Sequence, residues 1–174
     1  MYLIRFSDFQ ETVQVRYVVD CPPGRKLNTF NPLKWTFSSS VQGGPRRVNH
    51  AAVAVGDRIF SFGGYCTGDN YRDERPIDVF VLDTNTFRWT EVAKPEDPRL
   101  LAYWPYQRYG HTVVARGETC YLFGGRNDEA ACNLLFTFCT NTYRWSRPRV
   151  EGDIPGERDG HSATIIGKFY DKLF

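Results

Sequence analysis

Residues 47–64 read R-V-N-H-A-A-V-A-V-G-D-R-I-F-S-F-G-G, and residues 108–125 read R-Y-G-H-T-V-V-A-R-G-E-T-C-Y-L-F-G-G. The same frame begins again at residue 158 with R-D-G-H-S-A-T-I-I-G-K. Each copy sets an arginine three residues before a histidine (Arg47 and His50, Arg108 and His111, Arg158 and His161), then a short apolar run, then a turn at Gly56, Gly117 or Gly167. The two full copies continue with a second apolar run that closes on a glycine doublet, Gly63-Gly64 and Gly124-Gly125. Self-similarity of this kind constrains the fold before any single residue is interpreted, because each unit must bury its apolar face against the next.

The segments after the two doublets also repeat. After a polar loop over 65–76, the first copy predicts a third strand over 77–82, a turn at Asp83-Thr84-Asn85-Thr86 and a fourth strand over 87–92 that carries Trp89. The second copy has a shorter loop over 126–133, then strands over 134–140 and 143–146 with Trp145. The third predicts a first strand over 162–166 and the start of a second at Phe169-Tyr170. Upstream, Leu33-Lys34-Trp35-Thr36-Phe37 reads as the last strand of a unit whose earlier strands do not precede it. Residues 1–32 match no part of the pattern; a weak alternation at Val13, Val15, Tyr17 and Val19 is broken by Cys21-Pro22-Pro23-Gly24.

His50, His111 and His161 stand 61 and then 50 residues apart. That spacing, with the ordered set of doublet, loop, Asp-Thr-Asn-Thr turn and Trp strand, resembles the kelch repeat, in which each repeat is one four-stranded propeller blade. The expected fold is therefore all-β, a partial kelch β-propeller of two complete blades plus the first strand of a third. It forms an open wedge, since so few blades cannot close a ring and leave blade faces and strand edges uncovered. The implied organisation is a non-kelch extension (1–32), an outer strand of a closing blade (33–42), blade 1 (43–92), a linker loop (93–107), blade 2 (108–146), and a linker with a truncated blade (147–174). On this reading the chain is an N-terminal piece of a longer propeller.

The repeat assigns structural roles to several conspicuous residues. Gly63, Gly64, Gly124 and Gly125 end inner strands where backbone crowds in. Trp89 and Trp145 cover the space between blades. His50, His111 and His161 invite a metal triad, but equivalent positions on successive blades hold them apart around a ring, so they read as hydrogen-bonding hinges. No cofactor or metal is expected. Five cysteines without a C-x-x-C pair read as free thiols of a reducing compartment, cytoplasmic or nuclear. There is no run of transmembrane length and no signal-peptide pattern at Met1–Asp8. The net charge of +2, with basic residues interspersed among Asp and Glu, gives no pull toward nucleic acid. No catalytic constellation stands out, so the chain reads as non-enzymatic.

In an up-and-down blade the 2–3 and 4–1 connections leave on one face, and here those are the long ones. Binding usually resides in variable loops on a rigid scaffold. Arg47, Arg108 and Arg158 enter the inner strands from that face, while Arg72, Arg75 and Arg126 stand in its loops. Converging guanidinium groups suit a peptide carboxylate. Salt bridges between blades are nevertheless the favoured reading of the first three, and solvated pairing with Asp73 and Glu74 that of Arg72 and Arg75. Tyr103, Trp104 and Tyr106 would line a peptide pocket or, equally, cover a blade edge. The segments Gly43–Gly56, Phe62–Cys66, Arg108–His111, Gly124–Asp128 and Arg158–Ala163 are similar to kelch substrate receptors of cullin-2 ubiquitin ligases. That resemblance implies recognition of C-terminal degrons ending in glycine, with elongin B/C and cullin-2 contacted through sequence outside this chain. The alternative it implies is a chromatin-associated scaffold linked to meiotic recombination.

Overall fold

The computed structural model describes Arg5–Phe6 and residues 44–165 of the chain. Its strands are β1 (Arg5–Phe6), β2 (Ala51–Val55), β3 (Arg58–Phe62), β4 (Val79–Asp83), β5 (Arg88–Glu91), β6 (Thr112–Arg116), β7 (Thr119–Phe123), β8 (Leu135–Cys139), β9 (Arg144–Ser146) and β10 (Val150–Glu151). A single-turn helix, α1 (Pro98–Leu101), lies between β5 and β6. Two antiparallel sheets in the orders β2-β3-β4-β5 and β6-β7-β8-β9 are the two blades, and β1 pairs with β10. The chain is thus a nearly all-β partial propeller whose sheets do not close into a ring. The Leu33–Phe37 strand, the weak strand at 13–19 and Phe169-Tyr170 lie outside the described residues.

Each blade turns where the repeat demands it. Gly56 and Gly117 adopt φ of 57° and 54° in the two-residue hairpin turns. The 3–4 turns close with Phe87 N–H on Asp83 O and Tyr143 N–H on Cys139 O, both at 2.8 Å. This places Phe87 and Tyr143 in the left-handed region (φ 54° and 57°), where bulky residues are uncommon. Strand three of blade 1 starts two residues later than the apolar pattern suggests. Ile77 N–H donates to Pro105 O and Asp78 N–H to the Gln107 Oε1, so both leave the ladder for the 4–1 connection.

Strand alternation sorts the apolar residues onto two faces. Phe60, Phe62, Val79 and Val81 of blade 1 meet Cys120, Leu122, Phe136, Phe138 and Trp145 of blade 2 in the main core. Each such side chain, fully buried, contributes about 1.5–3 kcal/mol. Trp145 packs between the blades, with ring centroids 4.9 Å from Phe138 and 5.7 Å from Phe62. Its indole N–H has no partner among the described residues, so Trp145 acts by packing alone. Trp89 faces the other side of blade 1, half-buried, with Gly44 close against its indole. A smaller cluster on the far side of blade 2 joins Phe123 and Leu135 to Ala163 and Ile165. The strand expected from Ser162 is not formed over 162–165, although Ala163 and Ile165 pack as a third blade's strand would. No described strand lies beside it to complete a ladder.

Candidate functional site on the loop face

The long connections do converge on one face. Backbone bridges Pro76–Tyr106 and Tyr109–Arg126 tie the 2–3 loops to the 4–1 segments. The R-x-x-H segments themselves join blade to blade through the main chain. Gly64 N–H donates to Arg108 O (2.8 Å) and Gly125 N–H to Arg158 O (2.9 Å). Gly110 N–H donates to Asn49 O and Gly160 N–H to Gly110 O. Asn49, Gly110 and Gly160 all take positive φ, so the residue before each histidine is a left-handed position filled by Asn or Gly.

The histidines do not act as hydrogen-bonding hinges throughout. His111 is buried, its Cε1 lies 3.1 Å from where a Cβ on Gly63 would stand, and neither ring nitrogen makes a well-formed hydrogen bond. Burial, reinforced by the nearby Arg108, pushes its pKa down to about 3, against only the Phe62 backbone. His161 seats the same way on Gly124 but bonds Thr112 Oγ1 through Nε2 at 2.9 Å. His50 is exposed, with its Cβ against Gly64.

The arginines part company. Arg47 bonds Asp69 (2.8 Å), Tyr71 Oη (3.2 Å) and Asp78, and Asp78 in turn takes Lys94 at 2.7 Å. Asp69, Tyr71 and Asp78 belong to the same blade as Arg47, so the expected salt bridge runs within a blade rather than between blades. The Arg47 hydrogen bond, opposed by some burial and helped by Arg75, holds the Asp69 carboxyl below its usual range. Arg75 also binds Asp69 and lies over the Tyr71 ring, while exposed Arg72 reaches Glu129 of the next blade at 3.5 Å. Among the described residues neither guanidinium forms the expected ion pair with Asp73 or Glu74; Arg75 meets Asp73 through its backbone N–H on Asp73 O at 2.8 Å. Arg126 Nε donates to Asn127 O and Arg158 Nε to Gly156 O.

Arg108 is wholly buried and cannot present its guanidinium to a peptide, which corrects the expectation for this residue. It stacks 4.0 Å over Tyr106 and 5.1 Å from Phe136. Its Nε donates to Tyr106 O, and Nη1 donates to Gly124 O (3.1 Å) and to Cys132 Sγ (2.9 Å). Its Nη2 has no partner among the described residues.

Beside it lies a groove of about 560 Å3, walled by Pro76, Leu101, Trp104, Tyr106 and Phe136, with Glu74 and Arg147 among its lining residues. Trp104 donates its indole N–H to Ile77 O at 2.9 Å and packs against Trp145, so it both covers the blade seam and lines the groove. Tyr103 is exposed and does not line it. Arg147, over Phe136 at 5.1 Å, is not among the site residues expected from the motif. It directly follows the Trp strand, a position at which the 4–1 connection must start on the loop face. Among the described residues no group of three or more His, Cys, Asp and Glu could hold a metal ion.

Two four-stranded blades joined by R-x-x-H segments and glycine doublets define a kelch-repeat, protein-interaction type of propeller. Residues 49–171 match the KLHDC2/KLHL20/DRC7 Kelch-repeats domain, and the chain belongs to that kelch-repeat family. It is 52% identical over 139 residues to Kelch domain-containing protein 3 of Bos taurus and 51% identical to that of Homo sapiens, in both cases over 78% of this chain. The chain spans about a third, 36%, of the length of those relatives. Tip elongation aberrant protein 1 of Schizosaccharomyces pombe is 32% identical over 133 residues, which is 74% of this chain and 11% of that protein.

Proposed function

We propose that the chain contributes the peptide-binding loop face of a substrate receptor for a cullin-2 ubiquitin ligase, acting in the cytoplasm or nucleus on proteins with C-terminal glycine degrons. The observation that carries this reading is the groove, lined by Trp104, Tyr106 and Phe136 and by Arg147, whose guanidinium lies 5.1 Å over the Phe136 ring. An apolar trough takes side chains, and an arginine at its wall takes a carboxylate through a forked pair of N–H donors. With Arg108 buried and Arg47 neutralised by Asp69 and Asp78, carboxylate capture on this face falls to Arg147, supported by Arg72, Arg126 and Arg158. The reading is of a binding module and not an enzyme, with elongin B/C and cullin-2 held by sequence beyond this chain.

The test is binding of peptides that end in glycine, each with a free or an amidated C-terminus, to the chain joined to the rest of its propeller. Amidation is expected to weaken binding about tenfold or more, as loss of a charge-assisted pair would. Unchanged affinity overturns carboxylate capture. Failure to co-purify elongin B/C and cullin-2 with the joined protein overturns the ligase assignment.

A further inference from the structure

Arg47 and Arg108 occupy the same place in successive repeats but have different counter-charges. Arg47 has two carboxylates, Asp69 and Asp78. The Gly63 N–H bond to Asp78 O recurs as Gly124 N–H to Leu134 O, which places Leu134 where Asp78 stands. Arg108 is consequently a fully buried cation without a carboxylate among its contacts. Arginine does not shed its proton, and a buried cation without a counter-ion is costly. The Cys132 sulfur, 2.9 Å from Nη1, is the group the site offers, and the adjacent Nη2 donor is unsatisfied. The Tyr106 phenol touches the same sulfur, but burial pushes its pKa up to about 12, so it remains a neutral O–H.

We propose that Cys132 is an oxidation site whose anionic oxyacid is held by the Arg108 guanidinium. Nη1 already lies 2.9 Å from the sulfur, so oxygens added there fall within reach of the fork. Cys132 is 8% exposed, and the Tyr106 and Phe136 rings that flank Arg108 form the neighbouring groove wall, which suits a small oxidant such as hydrogen peroxide. The thiol gives up its proton and the thiolate attacks one peroxide oxygen. An S–O bond forms, the O–O bond breaks, and the departing hydroxide takes up a proton as water. Sulfur is oxidised by two electrons to the sulfenic acid and peroxide is reduced. A second peroxide gives the sulfinic acid and another water. The sulfinate left when that acid loses its proton offers two oxygens to the fork of Nη1 and Nη2, supplying the partner that Nη2 lacks.

The other described cysteines provide the controls. Cys120 is 1% exposed, and burial pushes its thiol up to about 12. Cys66 and Cys139 are half-buried. The full chain is treated with limiting hydrogen peroxide, sulfenic acid is trapped with dimedone, and the adducts and sulfinate are quantified at each cysteine by peptide mass. Sulfinate at Cys132 is expected to exceed that at Cys120 about tenfold, and to be severalfold higher in the native chain than in the urea-unfolded chain, where Arg108 no longer touches it. Sulfinate at Cys132 no higher native than unfolded overturns the proposal, and that comparison needs no variant to fold. Arg108→Lys, which keeps the charge but loses the fork, is expected to lower sulfinate at Cys132 severalfold. Undiminished sulfinate in that variant also overturns it, and new labelling of Cys120 would reveal an unfolded variant and return the decision to the native-against-unfolded comparison.

Discussion

The carbonyl oxygen of Arg108 accepts a hydrogen bond from the N–H of Gly64 at 2.8 Å, across the boundary between the two blades. Arg158 and Gly125 repeat the contact at 2.9 Å. Backbone, not side chain, is therefore what Arg108 and Arg158 contribute to the blade junctions, and the guanidinium at this repeat position is left to differ from blade to blade. The first glycine of each doublet sits under this junction. A Cβ on Gly63 would lie 2.6 Å from Arg108 O and 3.1 Å from His111 Cε1.

That crowding yields a graded prediction for glycine-to-alanine changes. At Gly63 (φ 51°) and Gly124 (φ 66°) an added methyl meets backbone oxygen that cannot move without parting the blades. Gly63→Ala and Gly124→Ala are each expected to lose ~3 kcal/mol or more, from overpacking and a left-handed backbone together. Gly56→Ala, with φ 57° but open space around it, should lose only the conformational part, about 1 kcal/mol. Urea midpoints of the three variants, followed by circular dichroism, check the order; equal losses would show that the inter-blade junction is not the crowded point.

The repeats made most of the scaffold readable. β2, β3 and β7 lie where the apolar runs end at glycine turns and doublets, since those glycines mark positive-φ positions that only the observed turns use. The third strand of blade 1 is shorter than its apolar run, because nothing in Ile77-Asp78 announces that Pro105 and Gln107 will take their N–H groups. Helix α1 is four residues, too short for any periodicity, and only Asp97-Pro98 at its N-terminus hints at it, with Asp97 accepting from Arg99 N–H. The candidate site was legible as a face but not as a set of residues. Three arginines in one motif position look alike in sequence, while the 2–3 loops that surround them differ in length and charge. Asp78 against Leu134 decides that Arg47 is ion-paired and Arg108 is not.

Acid should weaken the chain through His111. Its folded pKa of about 3 lies below the unfolded value near 6.5, so the folded state holds the neutral ring and the unfolded state binds the extra proton. Stability is then fully present above pH ~6.5 and falls as pH drops toward 3, by about 1.4 kcal/mol per unit within that window. His161, lowered chiefly by burial and then by Arg158, adds in the same direction. Unfolding free energies at pH 7.5 and pH 5 should differ by about 2 kcal/mol from His111. His111→Gln should flatten the slope, and an unchanged slope would assign the pH dependence elsewhere.

Asp78 is the hinge of the blade 1 ion network. Its side chain is 8% exposed and holds both Arg47 and Lys94. Asp78→Ala takes from Arg47 and Lys94 the buried anion they share and leaves them only the more exposed Asp69 and Glu91, and about 3 kcal/mol should be lost. Asp69, more exposed and held by both Arg47 and Arg75, should matter less. The double change Arg47→Met with Asp78→Leu removes the charges together and borrows the leucine of blade 2, so it should recover most of the loss, as buried ion pairs replaced by apolar residues often do. A double-mutant cycle on thermal unfolding measures this; additive losses would mean that the two residues are not coupled.

Trp145 separates packing from hydrogen bonding in the main core. It is 6% exposed, lies 4.9 Å from Phe138, 5.7 Å from Phe62 and 6.3 Å from Phe136 by ring centroid, and donates its N–H to no described residue. Truncation to alanine opens the seam between the blades and should lose ~3–5 kcal/mol. Trp145→Phe keeps an aromatic ring in the same edge-on company and abandons no hydrogen bond, so it should lose only about 1–1.5 kcal/mol. Trp104→Phe is the counterpart: there the indole N–H on Ile77 O is given up, at about 1 kcal/mol beyond the lost area. Urea unfolding of the three variants, monitored by far-ultraviolet circular dichroism, checks the ranking. A Trp145→Phe loss as large as that of Trp145→Ala would mean that the indole's full shape, and not its aromatic contacts, holds the two blades together.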